Sequence, residues 1–172
     1  MASRSSIAQI TDSLYLCGAT AITQQRLVRH GITHVINSTK DVPTFNVPGI
    51  QTTRINVDDH PYARLDAHFD RVADAISHVC SRGGKVLVHC VVGVSRSATL
   101  CIVYLMKYHK LTLVQAHEYV RKRRPIIRPN SGFWRQLIEY ERKLYGRTTV
   151  RMVNSIAGPI PDVYKELARF MI

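Results

Sequence analysis

The sequence predicts an α/β fold: a central, twisted, mostly parallel sheet of about five strands flanked by helices. Three observations carry this. Short β-rich runs alternate along the chain with segments of helical periodicity. One run, KVLVH at 85–89, is apolar without alternation, as in a strand buried on both faces of a parallel sheet. The segment after it, about 95–109, is helical and apolar almost all round, so it is a central, buried helix.

The elements follow in order. SLYLC at 13–17 reads as a strand, and residues 20–30 as a helix closed by Gly31. THVINS at 33–38 alternates as a strand does. Two prolines, an asparagine and a glycine make 39–49 a loop. TTRINV at 52–57 is a further strand, stopped by DDHP. Leu65, Phe69, Val72, Ile76 and Val79 share one face of a helix over 64–80, which Gly83 and Gly84 end. After the central helix, Thr112 and Gln115 form a capping box for a helix over 113–123. Pro125 and Pro129 interrupt the chain. Asn130 then caps a last long helix, about 131–145, with Phe133, Trp134, Leu137, Ile138 and Leu144 inward. Within 146–172, IPDVYKELARFMI reads as a small docking helix.

The 172 residues suit one domain that buries roughly two-thirds of its unfolded surface. No apolar run approaches the roughly 18 residues of a membrane span, and the N-terminal stretch lacks the apolar core of a secretory signal. The expected compartment is therefore cytoplasm, nucleus or both. In that reducing setting Cys17, Cys80 and Cys101 read as small buried hydrophobes. The seven histidines other than His89 show no metal-ligand spacing with carboxylates, and no metal or other cofactor is expected. The net charge of +12 favours anionic partners. Arg121 to Arg124, in the densest basic stretch, read as solvated cations closing a helix C-terminus, with nuclear targeting or phosphate steering as alternatives.

The chemistry is concentrated in KVLVHCVVGVSRSA at 85–98. Ligands of α/β sheets sit beyond the carboxyl ends of the strands, which is where the turn from Cys90 to Arg96 falls. Its backbone N–H groups converge at a helix N-terminus, a ready anion site. Gly93 permits the tight turn, and Arg96 offers a rigid fork of donors to phosphate-like oxygens. A helix N-terminus and a cation both favour the nucleophilic thiolate at Cys90. Ser97 is placed to hydrogen-bond that sulfur, and His89 to brace the loop. A thiolate facing a bound phosphoryl group splits hydrolysis into two easier steps. The leaving oxygen then needs a general acid on a nearby loop. Asp66, Asp70 and Asp74 fall on an amphipathic helix. Asp58 and Asp59 lie just past a strand end, and either has the required chemistry.

His89-Cys90-Val91-Val92-Gly93-Val94-Ser95-Arg96-Ser97 resembles the signature loop of the cysteine-dependent protein tyrosine phosphatase superfamily. SATLCIVYLM at 97–106, RRPIIRPNSGFWRQLIEYE at 123–141 and IPDVY at 160–164 resemble the small atypical dual-specificity phosphatases. The likeness runs from about residue 9 to 170, with a catalytic core over about 9–146 and a C-terminal extension over 147–172. It implies a protein tyrosine phosphatase-like fold over the whole chain. It implies Cys90, Arg96 and Asp59 as the catalytic set, the last because Asp59-His60-Pro61 fits the family's Asp-x-Pro acid loop. It implies a phosphate cradle of Val91, Val92, Gly93, Val94, Ser95 and Arg96, supported by His89 and Ser97. It also implies hydrolysis of phosphotyrosine and phosphoserine or phosphothreonine in proteins, with MAP kinases as a substrate class and no obligatory nucleic acid. The alternatives are a phosphoinositide or RNA 5′-phosphatase and a silent phosphobinding adaptor. Uncharged residues at 91, 92, 94 and 95 disfavour the lipid, and the complete catalytic set disfavours the adaptor.

Overall fold

The computed structural model describes residues 4–169. A five-stranded sheet lies at its centre, formed by β1 (Ala8–Gln9), β2 (Leu14–Gly18), β3 (His34–Asn37), β4 (Gln51–Arg54) and β5 (Val86–Cys90). Their spatial order is β1-β2-β5-β3-β4. β2, β5, β3 and β4 run parallel, and β1 adds an antiparallel edge by pairing Ala8 with Leu16. The apolar run at 85–89 thus supplies the middle strand, buried along its whole length.

Strand alternation sorts its side chains between two cores. Val86 and Val88 enter the larger one, with α2 (Phe69–Ser81), α3 (Arg96–Tyr108), α4 (Leu113–Arg123) and α5 (Ser131–Tyr145). Leu87 enters the smaller one, with Tyr15, Cys17, Val35 and Leu27 of α1 (Gln24–Arg29). α3 is buried from Arg96 to Met106, as its all-round apolar sequence requires. Each of its Leu, Ile and Val side chains contributes about 1.5–3 kcal/mol by leaving water.

Helix ends follow local chemistry. Thr112 and Gln115 close the capping box of α4 reciprocally. The Asn130 side chain caps α5, and Gly146 ends it in the left-handed region at φ 72°. α2 is preceded by a 3-10 turn, Leu65–His68, so the expected helix over 64–80 begins in tighter form. The helix expected over 20–30 is divided instead into a 3-10 turn, Ala19–Ala21, and α1. The break lies at Thr23, whose hydroxyl accepts from the Arg26 N–H at 3.1 Å and starts a new helix.

The strand expected over 52–57 stops at Arg54. The carbonyl of Val57 accepts from the Arg96 side chain at 2.9 Å rather than from a neighbouring strand. β1 and an antiparallel hairpin, β6 (Met152–Ser155) with β7 (Gly158–Pro161), are additions to the sequence reading. The expected terminal helix is present as α6 (Asp162–Arg169); residues 170–172 of that expectation lie outside the described residues. α6 docks through Tyr164, whose hydroxyl accepts from Trp134 Nε1 at 2.9 Å. Among the described residues no helix is long and apolar enough to cross a membrane.

Candidate active site

β5 ends at Cys90 and α3 begins at Arg96, so residues 91–95 make the whole turn between the central strand and the central helix. Gly93 takes φ +73°, and a Cβ there would lie 2.5 Å from the Cys17 carbonyl carbon. Conformation and close approach to β2 both demand glycine. Gly18 mirrors it: a Cβ on Gly18 would lie 2.7 Å from the Val92 carbonyl.

All the carbonyls from Val91 to Ser95 are held from outside the turn. Val91 O accepts from the Ala19 N–H at 3.0 Å, and Val94 O from the Arg128 N–H at 2.7 Å. Val92 O and Gly93 O accept from Arg124, Nη2 at 3.1 Å and Nε at 2.8 Å. Ser95 O accepts from the Thr99 hydroxyl at 2.8 Å. The peptide bonds are trans, so each N–H points opposite to the preceding carbonyl. The amides therefore turn to the other side of the loop, the side of Cys90, and make an anion nest at the N-terminus of α3.

Cys90 is 3% exposed. Its Sγ lies 3.0 Å from Ser97 Oγ and accepts from the Gly93 N–H at 3.2 Å. Arg96 is also buried; Nη1 is taken by Val57 O, while Nε is buried with no partner among the described residues. An unpaired guanidinium N–H out of water is costly, and an anion oxygen would satisfy it. His89 Nδ1 sits 3.3 Å from the Cys90 carbonyl, and burial keeps the imidazole below its usual pKa and thus neutral. The His89 carbonyl in turn accepts from the Ser38 N–H at 2.9 Å and hydroxyl at 2.6 Å. Val91 and Val92 are exposed beside the nest.

The acid candidates separate by position. Asp58 pairs with Lys40 at 3.0 Å. Asp59 Oδ1 accepts from Asn130 Nδ2 at 2.9 Å, and the Asn130 backbone N–H donates to Ser95 Oγ at 3.1 Å. Asp59 is thus one residue removed from the phosphate loop. Asp70 and Asp74 bind Lys107, and Asp74 also accepts from Tyr108, at the end of α3 opposite the loop, while Asp70 accepts from Tyr140 of α5. The Tyr140 hydroxyl chiefly, with Lys107 and Lys143, holds Asp70 down to about 2. Asp66 pairs with Arg64.

Sequence reading missed Arg124. It is not a solvated helix-end cation but fully buried, with three carbonyl partners, the third being Ser6 O at 3.0 Å. The signal was the stripe Leu113, Ala116, Val120, which continues at helical spacing to Arg124. Of the other basic residues there, Arg121 pairs with Glu118 and Arg123 stacks on Tyr119 at 3.5 Å. Cys17 and Cys101 are buried in the two different cores, Cys80 only half-buried. Burial pushes the Cys17 thiol up to about 12 and Cys101 higher still, so neither is a ready nucleophile. Among the described residues no group of His, Cys, Asp or Glu is arranged to hold a metal ion.

The model of the dual specificity phosphatase catalytic domain matches residues 14–143, which takes in the whole nest and the acid loop. The chain belongs to the dual specificity phosphatase family. This dual specificity phosphatase is 49% identical over 167 residues to dual specificity protein phosphatase 14 of Homo sapiens, covering 96% of this chain and 84% of that one. It is 49% identical over 169 residues to dual specificity protein phosphatase 18 of Rattus norvegicus, covering 98% and 83%. Among solved structures it is similar to human DUSP28, with a TM-score of 0.78 and 36% identity over 80% of this chain and 94% of that one. It is a hydrolase that removes phosphate from phosphotyrosine and phosphoserine or phosphothreonine in proteins.

Proposed function

We propose that this dual specificity phosphatase works through a phosphocysteine on Cys90, with Arg96 and the loop amides as the oxyanion cradle and Asp59 as general acid and base. The observation that carries the reading is the sulfur of Cys90 held between Ser97 Oγ and the Gly93 N–H, beside the partnerless Nε of Arg96. In the first step the thiolate forms an S–P bond as the P–O bond to the side chain breaks. Asp59 gives its proton to the departing oxygen. In the second step Asp59, now a carboxylate, takes a proton from water as the water oxygen attacks phosphorus. The S–P bond breaks, inorganic phosphate leaves, and thiolate and carboxylic acid are restored. Donors fixed before the reaction stabilise charge on the equatorial oxygens and supply the largest share of the barrier reduction.

The substrates proposed are phosphoproteins, phosphorylated MAP kinases among them, met in cytoplasm or nucleus. The family resemblance supports the kinase class, and four free cysteines fit a reducing compartment. The uncharged rim of Val91 and Val92 supports a protein substrate over a polyanionic lipid headgroup. The test is hydrolysis of para-nitrophenyl phosphate in chelator by the parent, Cys90→Ser and Asp59→Ala. Loss in the first variant and a strong decrease in the second are expected. A need for added Mg²⁺ would overturn the scheme. Phosphopeptide and phosphoinositide compared side by side test the substrate class, and doubly phosphorylated MAP kinase tests the kinase assignment.

A further inference from the structure

We propose that Asn130 is a positioning residue that decides which oxygen of Asp59 carries the catalytic proton, an inference that rests on Asp59 being the general acid. Asn130 has two hands with opposite chemistry. Its Oδ1 accepts from the Phe133 N–H at 2.9 Å and so caps α5, a helix of 15 residues. Its Nδ2 donates to Asp59 Oδ1 at 2.9 Å. The cap fixes the orientation of the amide. A flip would set NH₂ against the Phe133 N–H and the amide oxygen against the carboxylate, and both bonds would be lost.

The backbone of the same residue is anchored to the phosphate loop. The Asn130 N–H donates to Ser95 Oγ at 3.1 Å, and two residues earlier the Arg128 N–H donates to Val94 O at 2.7 Å. The acid loop rests on the next turn. A Cβ at Gly132 would lie 1.8 Å from the Pro61 carbonyl oxygen, so the first turn of α5 and the Asp59-His60-Pro61 loop are in backbone contact. Asp59 itself is exposed, and Asn130 is the hydrogen-bond partner of its side chain among the described residues.

An amide N–H gives a hydrogen bond and cannot receive one. It occupies Oδ1 and leaves Oδ2 as the oxygen that bears the proton in the first step and takes one from water in the second. Ser, Asp and Asn are nearly equal as helix caps, so capping alone does not ask for asparagine. Among them only asparagine carries its donor on a second atom, free to reach the acid while the first atom caps; the serine hydroxyl is a single, shorter group already turned to the Phe133 N–H.

The test separates capping from positioning. Asn130→Ser keeps a capping oxygen and removes the amide N–H that reaches Asp59; Asn130→Asp keeps the cap and sets carboxylate against carboxylate. Each is compared with the parent and with Asp59→Asn on two substrates. Phenyl phosphate has a leaving group that needs a proton; 2,4-dinitrophenyl phosphate has one that leaves without it. The readout is the ratio of kcat/KM on phenyl phosphate to that on the dinitro compound. Asp59→Asn is expected to lower the ratio on the order of a hundredfold or more, and Asn130→Ser about tenfold. The Asn130→Ser Tm should stay within about 4 °C of the parent, as a cap exchange predicts. Asn130→Asp should lower the ratio at least as far, which keeps the inference testable if the serine variant does not fold. A parental ratio in both Asn130 variants, with the ratio collapsed in Asp59→Asn, overturns the positioning role and leaves the acid assignment standing. A parental ratio in Asp59→Asn overturns both. Equal slowing of both substrates by the Asn130 variants also overturns it, because that pattern belongs to the phosphate loop and not to proton delivery.

Discussion

Arg124 Nε donates to the Gly93 carbonyl at 2.8 Å, so the anion nest is braced from behind by a guanidinium that never meets the substrate side. Nη2 adds the Val92 carbonyl and Nη1 reaches Ser6 O. One planar fork fixes two successive peptide planes, which a lysine point charge cannot reproduce. Arg124→Met leaves those carbonyls buried and unpaired, at about 1–3 kcal/mol each. Urea unfolding is expected to show that loss, and kcat/KM on an aryl phosphate to fall more than about tenfold, since misplacement of about 1 Å costs up to a hundredfold. Arg124→Lys should fall between. A fully active Arg124→Met enzyme would show that the loop holds its amides inward unaided.

Ser97 should act in the second step rather than the first. Its hydroxyl lies 3.0 Å from Cys90 Sγ and is fully buried. As the S–P bond breaks, charge returns to sulfur, and a hydroxyl donor stabilises it. A hydrogen bond to a charged group is worth about 1.5–3 kcal/mol, or roughly ten- to a hundredfold in rate. Ser97→Ala is expected to lower kcat by that factor with kcat/KM little changed. The phosphoenzyme should accumulate and give a burst of phenol in rapid mixing. Equal losses in kcat and kcat/KM, without a burst, would place Ser97 in the first step.

What was legible in the sequence was what depends on nearest neighbours along the chain. The capping box of α4, the bounds of α5 and the double burial of β5 follow from local spacing, and so does the turn Cys90 to Arg96. The two-residue β1 and the β6–β7 hairpin carry too few residues for a periodic signal. Long-range partners were also hidden. A basic or acidic side chain reads as solvated by default, yet Arg124 and Glu141 are both fully buried. Asn130 reads correctly as a cap, and nothing in its neighbours announces that its amide nitrogen meets Asp59, 71 positions away.

Glu141 is a second hidden charge. It accepts from the Leu113 N–H at 2.7 Å and from the Thr149 N–H and hydroxyl at 2.6 and 2.7 Å. The carboxylate thereby serves the first turn of α4, where negative charge suits the helix dipole, and ties down the loop that follows α5. Glu141→Gln keeps the shape and removes the charge; Glu141→Ala leaves buried donors without acceptors. Expected losses are about 1–2 kcal/mol for Gln and about 3 kcal/mol or more for Ala. Chemical denaturation measures both, and an Ala variant as stable as the parent would show that water replaces the carboxylate.

His117 sets the acid limit of stability. It is 2% exposed, its Nε2 is buried without a partner among the described residues, and its ring lies 4.9 Å from Trp134 and 6.3 Å from Tyr164. Burial first, then the nearby Arg121 charge, lowers its pKa to about 4 against an opposing effect of Glu118. The folded protein therefore holds His117 neutral while the unfolded chain takes up a proton near pH 6.5. Below that pH the unfolded state binds more protons, so stability falls as pH drops from about 6.5 to 4, by up to about 3 kcal/mol for this one group. His89, also lowered by burial, adds to the slope with the same sign. Asp70, held down to about 2, acts in a separate window, because its contribution persists until pH falls below the ordinary carboxylate range. His117→Phe keeps an aromatic ring and removes the titration. Urea unfolding between pH 7 and 4.5 should then show a shallower decline in the variant, with its stability overtaking the parent's at the acid end. Parallel pH profiles would assign the acid sensitivity to His89 and the carboxylates, and would mean that His117 gains a proton without leaving its place against α5 and α6.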